Sequence, residues 1–148
     1  MTAPRPRFLP RLVLRFGIVL LLGLSGASCG GGRFKATYPV KGRVLVDGEP
    51  AAGVTVLFSP VSIPDEEYIK PLGKTDEGGW FTLTSYRKGD GAPAGAYAVT
   101  LLWLPKGYAG PVEGGNKLPD RYRHPETSGI QIEVKAGDNN LDPFTLKR

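Results

Sequence analysis

From Val40 onward the chain alternates apolar and polar residues with a period of two, and it returns to that period after each cluster of turn residues. Val40, Gly42, Val44 and Val46 share one side, while Lys41 and Arg43 take the other. A period of two is the pleat of a half-buried strand, because successive side chains point to opposite faces. Asp47-Gly48 ends the run, and such a pair after an alternating strand signals a hairpin turn. The pattern recurs in Val54, Val56 and Phe58, in residues 80–84, in Tyr97, Val99, Leu101 and Trp103, in Ile130, Ile132 and Val134, and in Phe144 and Leu146. Ala98, Leu102 and Leu104 fill the alternate positions of the Tyr97 run, which predicts a strand buried on both sides. A further short strand is expected over residues 72–75. No stretch after residue 30 has a helical period. These runs predict an all-β domain, an antiparallel seven-stranded β-sandwich.

Composition supports that reading once the positions are considered. The 21 glycines and 14 prolines in 148 residues are a level that accompanies disorder when apolar residues are diluted. Here the apolar residues are grouped, and glycine and proline fall between the groups, where turns need φ > 0 or a fixed φ. The formal charge is +5, but Arg5, Arg7, Arg11 and Arg15 lie in a first segment without acidic side chains. Setting those four aside leaves 15 Lys and Arg against 14 Asp and Glu. A domain this close to neutrality lacks the basic footprint of a nucleic-acid binder.

After the arginines, residues 16–27 form an apolar run of twelve. A membrane-spanning helix needs about 20 such residues, whereas a basic segment, a short apolar core and small residues make a secretory signal peptide. Residues 1–28 are therefore expected to be a leader. Cys29 is the sole cysteine, so no disulfide forms within the chain. Gly26-Ala27-Ser28-Cys29 resembles the lipobox of bacterial lipoproteins, with Gly26 where leucine is usual. That resemblance implies cleavage before Cys29, a thioether lipid on its sulfur, and a membrane partnership through the anchor. Gly30, not Asp, follows the cysteine, which in lipoproteins of two-membrane bacteria implies the outer membrane. The expected location is the cell envelope, facing outward from the cytoplasm. Residues 29–37 read as a flexible tether, and an eight-residue leash at about 3.3–3.6 Å per residue keeps the domain within roughly 30 Å of the surface.

Residues 42–58 resemble the opening hairpin of carboxypeptidase-regulatory-like, or transthyretin-like, domains. Thr75-Asp-Glu-Gly-Gly-Trp-Phe81 is similar to their T-D-x-x-G-x-F turn, Gly95-Ala-Tyr-Ala-Val99 to their G-x-Y-x-V strand, and residues 118–129 to a segment of small bacterial lipoproteins of this type. The resemblance covers residues 38–148 and implies the sandwich; its positions are turns and core, so it says little about function.

Reactive clusters are sparse. Gly73-Lys74-Thr75 imitates the end of a phosphate-binding loop, but Tyr68 stands where the motif needs its first glycine. Gly89 and Gly91 are turn residues. His124 is the sole histidine, too few for a zinc site without further His or Cys. Asp76, Asp138, Asn139 and Asp142 do not have the spacing of a calcium loop. Among similar folds, hydroxyisourate hydrolases use several histidines and intradiol dioxygenases use two. No catalytic residue, cofactor or metal ligand is assigned, and Cys29, as a lipidation site, is the one site residue. The expected role is a non-catalytic structural or protein-interaction module of the envelope, its partner an unidentified envelope protein or polymer. The alternative is an accessory module for carbohydrate or another extracellular polymer, with Tyr86, Tyr108 and Tyr122 as stacking surfaces.

Overall fold

The computed structural model describes residues 34–62 and 69–148. The expected leader, Cys29 and the first part of the expected tether lie outside the described residues. Described strands are β1 (Thr37–Tyr38), β2 (Val40–Val46), β3 (Glu49–Pro50), β4 (Thr55–Pro60), β5 (Leu72–Lys74), β6 (Trp80–Thr82), β7 (Ala92–Pro93), β8 (Gly95–Leu102), β9 (Gln131–Val134), β10 (Asn139–Asn140) and β11 (Phe144–Leu146). Two four-residue helical turns, Val112–Gly115 and Asp120–Arg123, interrupt the connection after β8. The domain is therefore all-β, with open sheets.

One sheet runs β5-β4-β8-β9, each pair antiparallel. A second is organised on β2, antiparallel to β3 and β6 along one edge and parallel to β10 and β11 along the other. β1 and β7 form a small antiparallel pair. Each strand expected from the sequence has its counterpart here, but the parallel pairing of the last strands with β2 was not expected. The reason is topological. The chain reaches β10 and β11 from β9, which lies in the other sheet, so the connection is a crossing between sheets rather than a hairpin, and it sets no antiparallel direction.

The apolar faces meet in one core. Val40, Val44 and Val46 of β2 share it with Val56 and Phe58 of β4, Phe81, Val99 and Leu101 of β8, Val134, Phe144 and Leu146. Fully burying a Val, Leu or Phe side chain contributes about 1.5–3 kcal/mol, so the alternation read in the sequence is also where the stability lies. β8 is buried at five successive residues, Tyr97 to Leu101, the two-sided burial its sequence predicted. The Asp47-Gly48 turn has φ of 53° and 88°, and closes β2 onto β3 with Val46 opposite Glu49.

The buried hydroxyl of Thr75 is wired to the backbone, whereas Ser59 Oγ is buried with no hydrogen-bond partner among the described residues. Thr75 Oγ1 donates to Ala51 O at 2.6 Å and accepts from Val54 N at 2.8 Å. This clamps the turn before β4 to the end of β5. Residues 34–37, read as tether, are in fact held by the domain. Phe34 stands edge-on to Tyr86 with ring centroids 4.6 Å apart, Lys35 N donates to Tyr86 Oη, and Thr37 pairs with Pro93.

Candidate functional site

The residues singled out from the sequence are dispersed. Asp76 Oδ1 accepts from Gly78 N and Trp80 N, both at 2.9 Å, so its carboxylate shapes the turn into β6. Asn139 Oδ1 accepts from Lys135 N, and its Nδ2 donates to the carbonyls of Pro39, Lys135 and Gly137. These side chains are engaged in turns. His124 is half-exposed, with Nε2 3.4 Å from Asp120 Oδ2. Among the described residues no group of three or more His, Cys, Asp and Glu stands together. Cys29 lies outside the described residues.

The three candidate tyrosines are not brought together. Tyr122 is buried rather than a stacking surface; its Oη accepts from Arg121 Nη2 at 2.9 Å and Lys147 N at 3.3 Å. Burial pushes its phenol up, but those hydrogen bonds outweigh it and hold the group below its usual range. Tyr86 packs with Phe34 and takes a hydrogen bond from Lys35 N. Tyr86 also lines a hollow of about 470 Å³ with Phe34 and Arg87, and Tyr108 borders a larger one while keeping a third of its surface exposed.

That hollow is a cleft of about 780 Å³ lined by Trp103, Tyr108, Lys74, Lys106 and Lys117, with Pro50 and Ala52 among its other walls. Four interactions pin Trp103. Its backbone N donates to Asn116 Oδ1 at 2.9 Å and its carbonyl accepts from Lys117 N at 2.9 Å. Its indole Nε1 donates to Ala52 O at 2.9 Å, and Lys117 Nζ lies 5.0 Å from the ring centroid. The cation is attracted by the electron-rich ring face.

Tyr108 is held from the opposite side. Its hydroxyl donates to Pro111 O at 2.9 Å, and its ring lies so close to Gly115 that a Cβ there would overlap it. A Cβ on Gly110 would stand 2.7 Å from the hydroxyl oxygen. The glycines of this connection thus make room for an aromatic ring. Lys74 reaches the cleft from β5, with its Cε beside Gly53. Among the described residues no carboxylate forms an ion pair with Lys74, Lys106 or Lys117. The result is a positive, aromatic-walled cleft assembled from three separate stretches of chain. Sequence reasoning missed it, because the lysines share no spacing and Trp103 reads as one more strand residue.

Another hollow, of about 270 Å³, is lined by Lys35, Pro60, Pro93 and Tyr97 among others. On the second sheet Trp80 is 52% exposed, but Arg43 covers it with its guanidinium 5.1 Å from the ring centroid, and Arg43 Nε donates to Gly78 O.

No family model matches the chain, and neither a curated protein nor a solved structure matches it. Among the described residues no helix is long and apolar enough to cross a membrane.

Proposed function

We propose that this chain is a non-catalytic cell-envelope lipoprotein whose β domain acts as a structural or protein-interaction module. In this reading β2, β4, β5, β6, β8, β9 and β11 are the seven strands of a sandwich of the carboxypeptidase-regulatory-like, transthyretin-like type. Cys29 carries the reading: it stands directly behind an arginine-rich segment, a twelve-residue apolar run and small residues. The engagement of Asp76 and Asn139 in turns supports the non-catalytic part, since their oxygens already accept backbone hydrogen bonds. The deciding experiment is intact-mass analysis of protein purified from membranes, beside a Cys29→Ser variant. A mass equal to residues 29–148 plus acyl chains, lost in the variant, is expected. An unmodified chain in both preparations refutes the anchor.

A second reading, an accessory module for an extracellular polymer, draws its support from the Trp103 cleft. Its walls combine a fixed indole, a fixed phenol and three lysines that have no carboxylate partner among the described residues. Small-ligand sites are commonly concave and mostly apolar, with a few placed polar groups.

A further inference from the structure

We infer that the cleft between Trp103 and Tyr108 binds an anionic polysaccharide, its acidic groups held by Lys74, Lys106 and Lys117. This deepens the second reading above and rests on it; it does not require the Cys29 anchor.

Three observations carry the assignment. The first is charge. The three lysines come from β5, from the turn after β8 and from the segment after the Val112–Gly115 turn, yet all line one cleft. None has a carboxylate partner among the described residues. Outside the leader the chain is almost neutral, so this clustering is local and not a consequence of overall basicity. Like charges gathered in a concave site raise the local concentration of an anionic ligand.

The second is rigidity. Tyr108 is held by its bond to Pro111 O, and its ring packs closely over Gly110 and Gly115, where a Cβ would collide with it. Trp103 is fixed by Asn116, Lys117 and Ala52. A ring already held in place loses less conformational entropy when a ligand covers it. The apolar C–H face of a pyranose ring suits such a wall, because covering the ring removes apolar area from water on both partners.

The third is the distribution of donors. Lys74, Lys106 and Lys117 each present an ammonium group, a point charge on a flexible stem. Such groups accommodate carboxylate or sulfate at variable positions along a polymer.

The test uses the full chain in detergent, with polygalacturonate as the acidic probe, dextran as the neutral one and oligo-dT as the nucleic-acid one. Binding is followed by calorimetry at about 50 mM salt, where surface charges are only partly screened. Polygalacturonate is expected to bind and dextran to fail. A triple Lys74→Gln, Lys106→Gln, Lys117→Gln variant is expected to lose affinity roughly tenfold or more, while Lys41→Gln, Lys88→Gln, Lys135→Gln, an equal charge change elsewhere, keeps it within about twofold. Tyr108→Ala should weaken binding without altering the folded signal. Equal binding of dextran keeps the polymer reading but overturns the anionic assignment. Binding of no saccharide overturns both. Equal losses in the two triple variants, or preference for oligo-dT, overturn the cleft assignment.

Discussion

Two of the connections in this domain, residues 84–91 and residues 103–117, use their polar groups differently. In residues 84–91 the Asp90 carboxylate and the Ser85 and Thr84 hydroxyls bond within the loop, while Arg87 and Lys88 are exposed. Asp90 accepts from the backbone N–H groups of Ser85, Tyr86 and Arg87, Ser85 Oγ donates to Gly91 O, and Gly89 N donates to Thr84 Oγ1. In residues 103–117 the backbone is tied just as firmly around Trp103 and Tyr108, but the lysine charges are left facing a cleft. The first loop spends its hydrogen-bonding capacity on itself. The second uses it to hold aromatic rings, and its lysines line a cleft. Both are glycine-rich, so composition does not separate them; the destination of the polar groups does.

The sharpest way to break the comparison is at Gly91. Its φ is +84°, and a Cβ there would run into the Tyr38 carbonyl. Gly91→Ala is therefore expected to cost about 3 kcal/mol, combining a left-handed backbone with a collision against backbone. Urea unfolding measures the loss. Tryptic cleavage after Lys35 should also accelerate, because β1 must move away from β7. An unchanged midpoint would show that the first loop is not the structural one.

Asp90→Ala comes next. It leaves three backbone donors without their carboxylate, at a cost of about 2 kcal/mol. Burial raises the Asp90 carboxyl, but the bonds from Ser85, Arg87 and Tyr86 outweigh it and hold it below 3.8. A depressed carboxylate stabilises the fold above its unfolded value and loses that contribution as pH falls through the folded one. Thermal melts between pH 6 and pH 2 should therefore fall less steeply for Asp90→Asn than for the parent chain, and parallel curves would remove Asp90 from the account.

How much of this was legible beforehand divides along the same line. Strand positions were readable because burial of one face imposes a period of two on the sequence itself; Val40 to Val46 and Tyr97 to Leu101 show it directly. The Asp47-Gly48 turn was readable because few residues tolerate positive φ. Pairing between distant strands was not, since nothing in residues 139–146 encodes their direction relative to β2. Nor was the fate of the tyrosines. Tyr86, Tyr108 and Tyr122 look alike as loop residues, and only the fold buries Tyr122, docks Tyr86 against Phe34 and presents Tyr108 to a cleft. Residues 34–37 read as tether because short polar-apolar mixtures carry no period, yet Tyr86 and Pro93 supply their partners from about 50 residues away.

A smaller effect concerns Tyr97, whose hydroxyl donates to Pro93 O at 2.8 Å just beyond the first loop. Burial, with a minor contribution from Tyr86, pushes this phenol up to about 12. A raised value means the folded state keeps its proton after the unfolded chain has lost it. The contribution is whole below pH 10 and is lost as pH rises from there through about 12. Between pH 10 and pH 11.5 roughly 1–2 kcal/mol of it is lost. Melting temperatures taken from pH 8 to pH 11.5 should drop more steeply for the parent chain than for Tyr97→Phe, which lacks the titrating group. Curves of equal slope would mean that Tyr97 is hydrated in the folded state.

The smallest expected effect is the most informative for the second connection. If Lys74, Lys106 and Lys117 hold the structure together, replacing all three with glutamine must destabilise it. If instead they are unpaired cations gathered around a cleft, they repel one another, and their removal leaves stability within about 0.5 kcal/mol of the parent. At low ionic strength the variant should be slightly the more stable, because like-charge repulsion is relieved. That difference should vanish towards about 1 M salt, where the screening length falls to roughly 3 Å. Lys117 is the member that tests the argument hardest. Its ammonium lies 5.0 Å from the Trp103 ring centroid, so it alone has a favourable contact to lose. Single-variant melts should therefore rank Lys117→Gln as the least stable of the three, with Lys74→Gln and Lys106→Gln at or above the parent. A loss of several kcal/mol from Lys106→Gln would make the second connection as self-contained as the first, and the contrast between them would collapse.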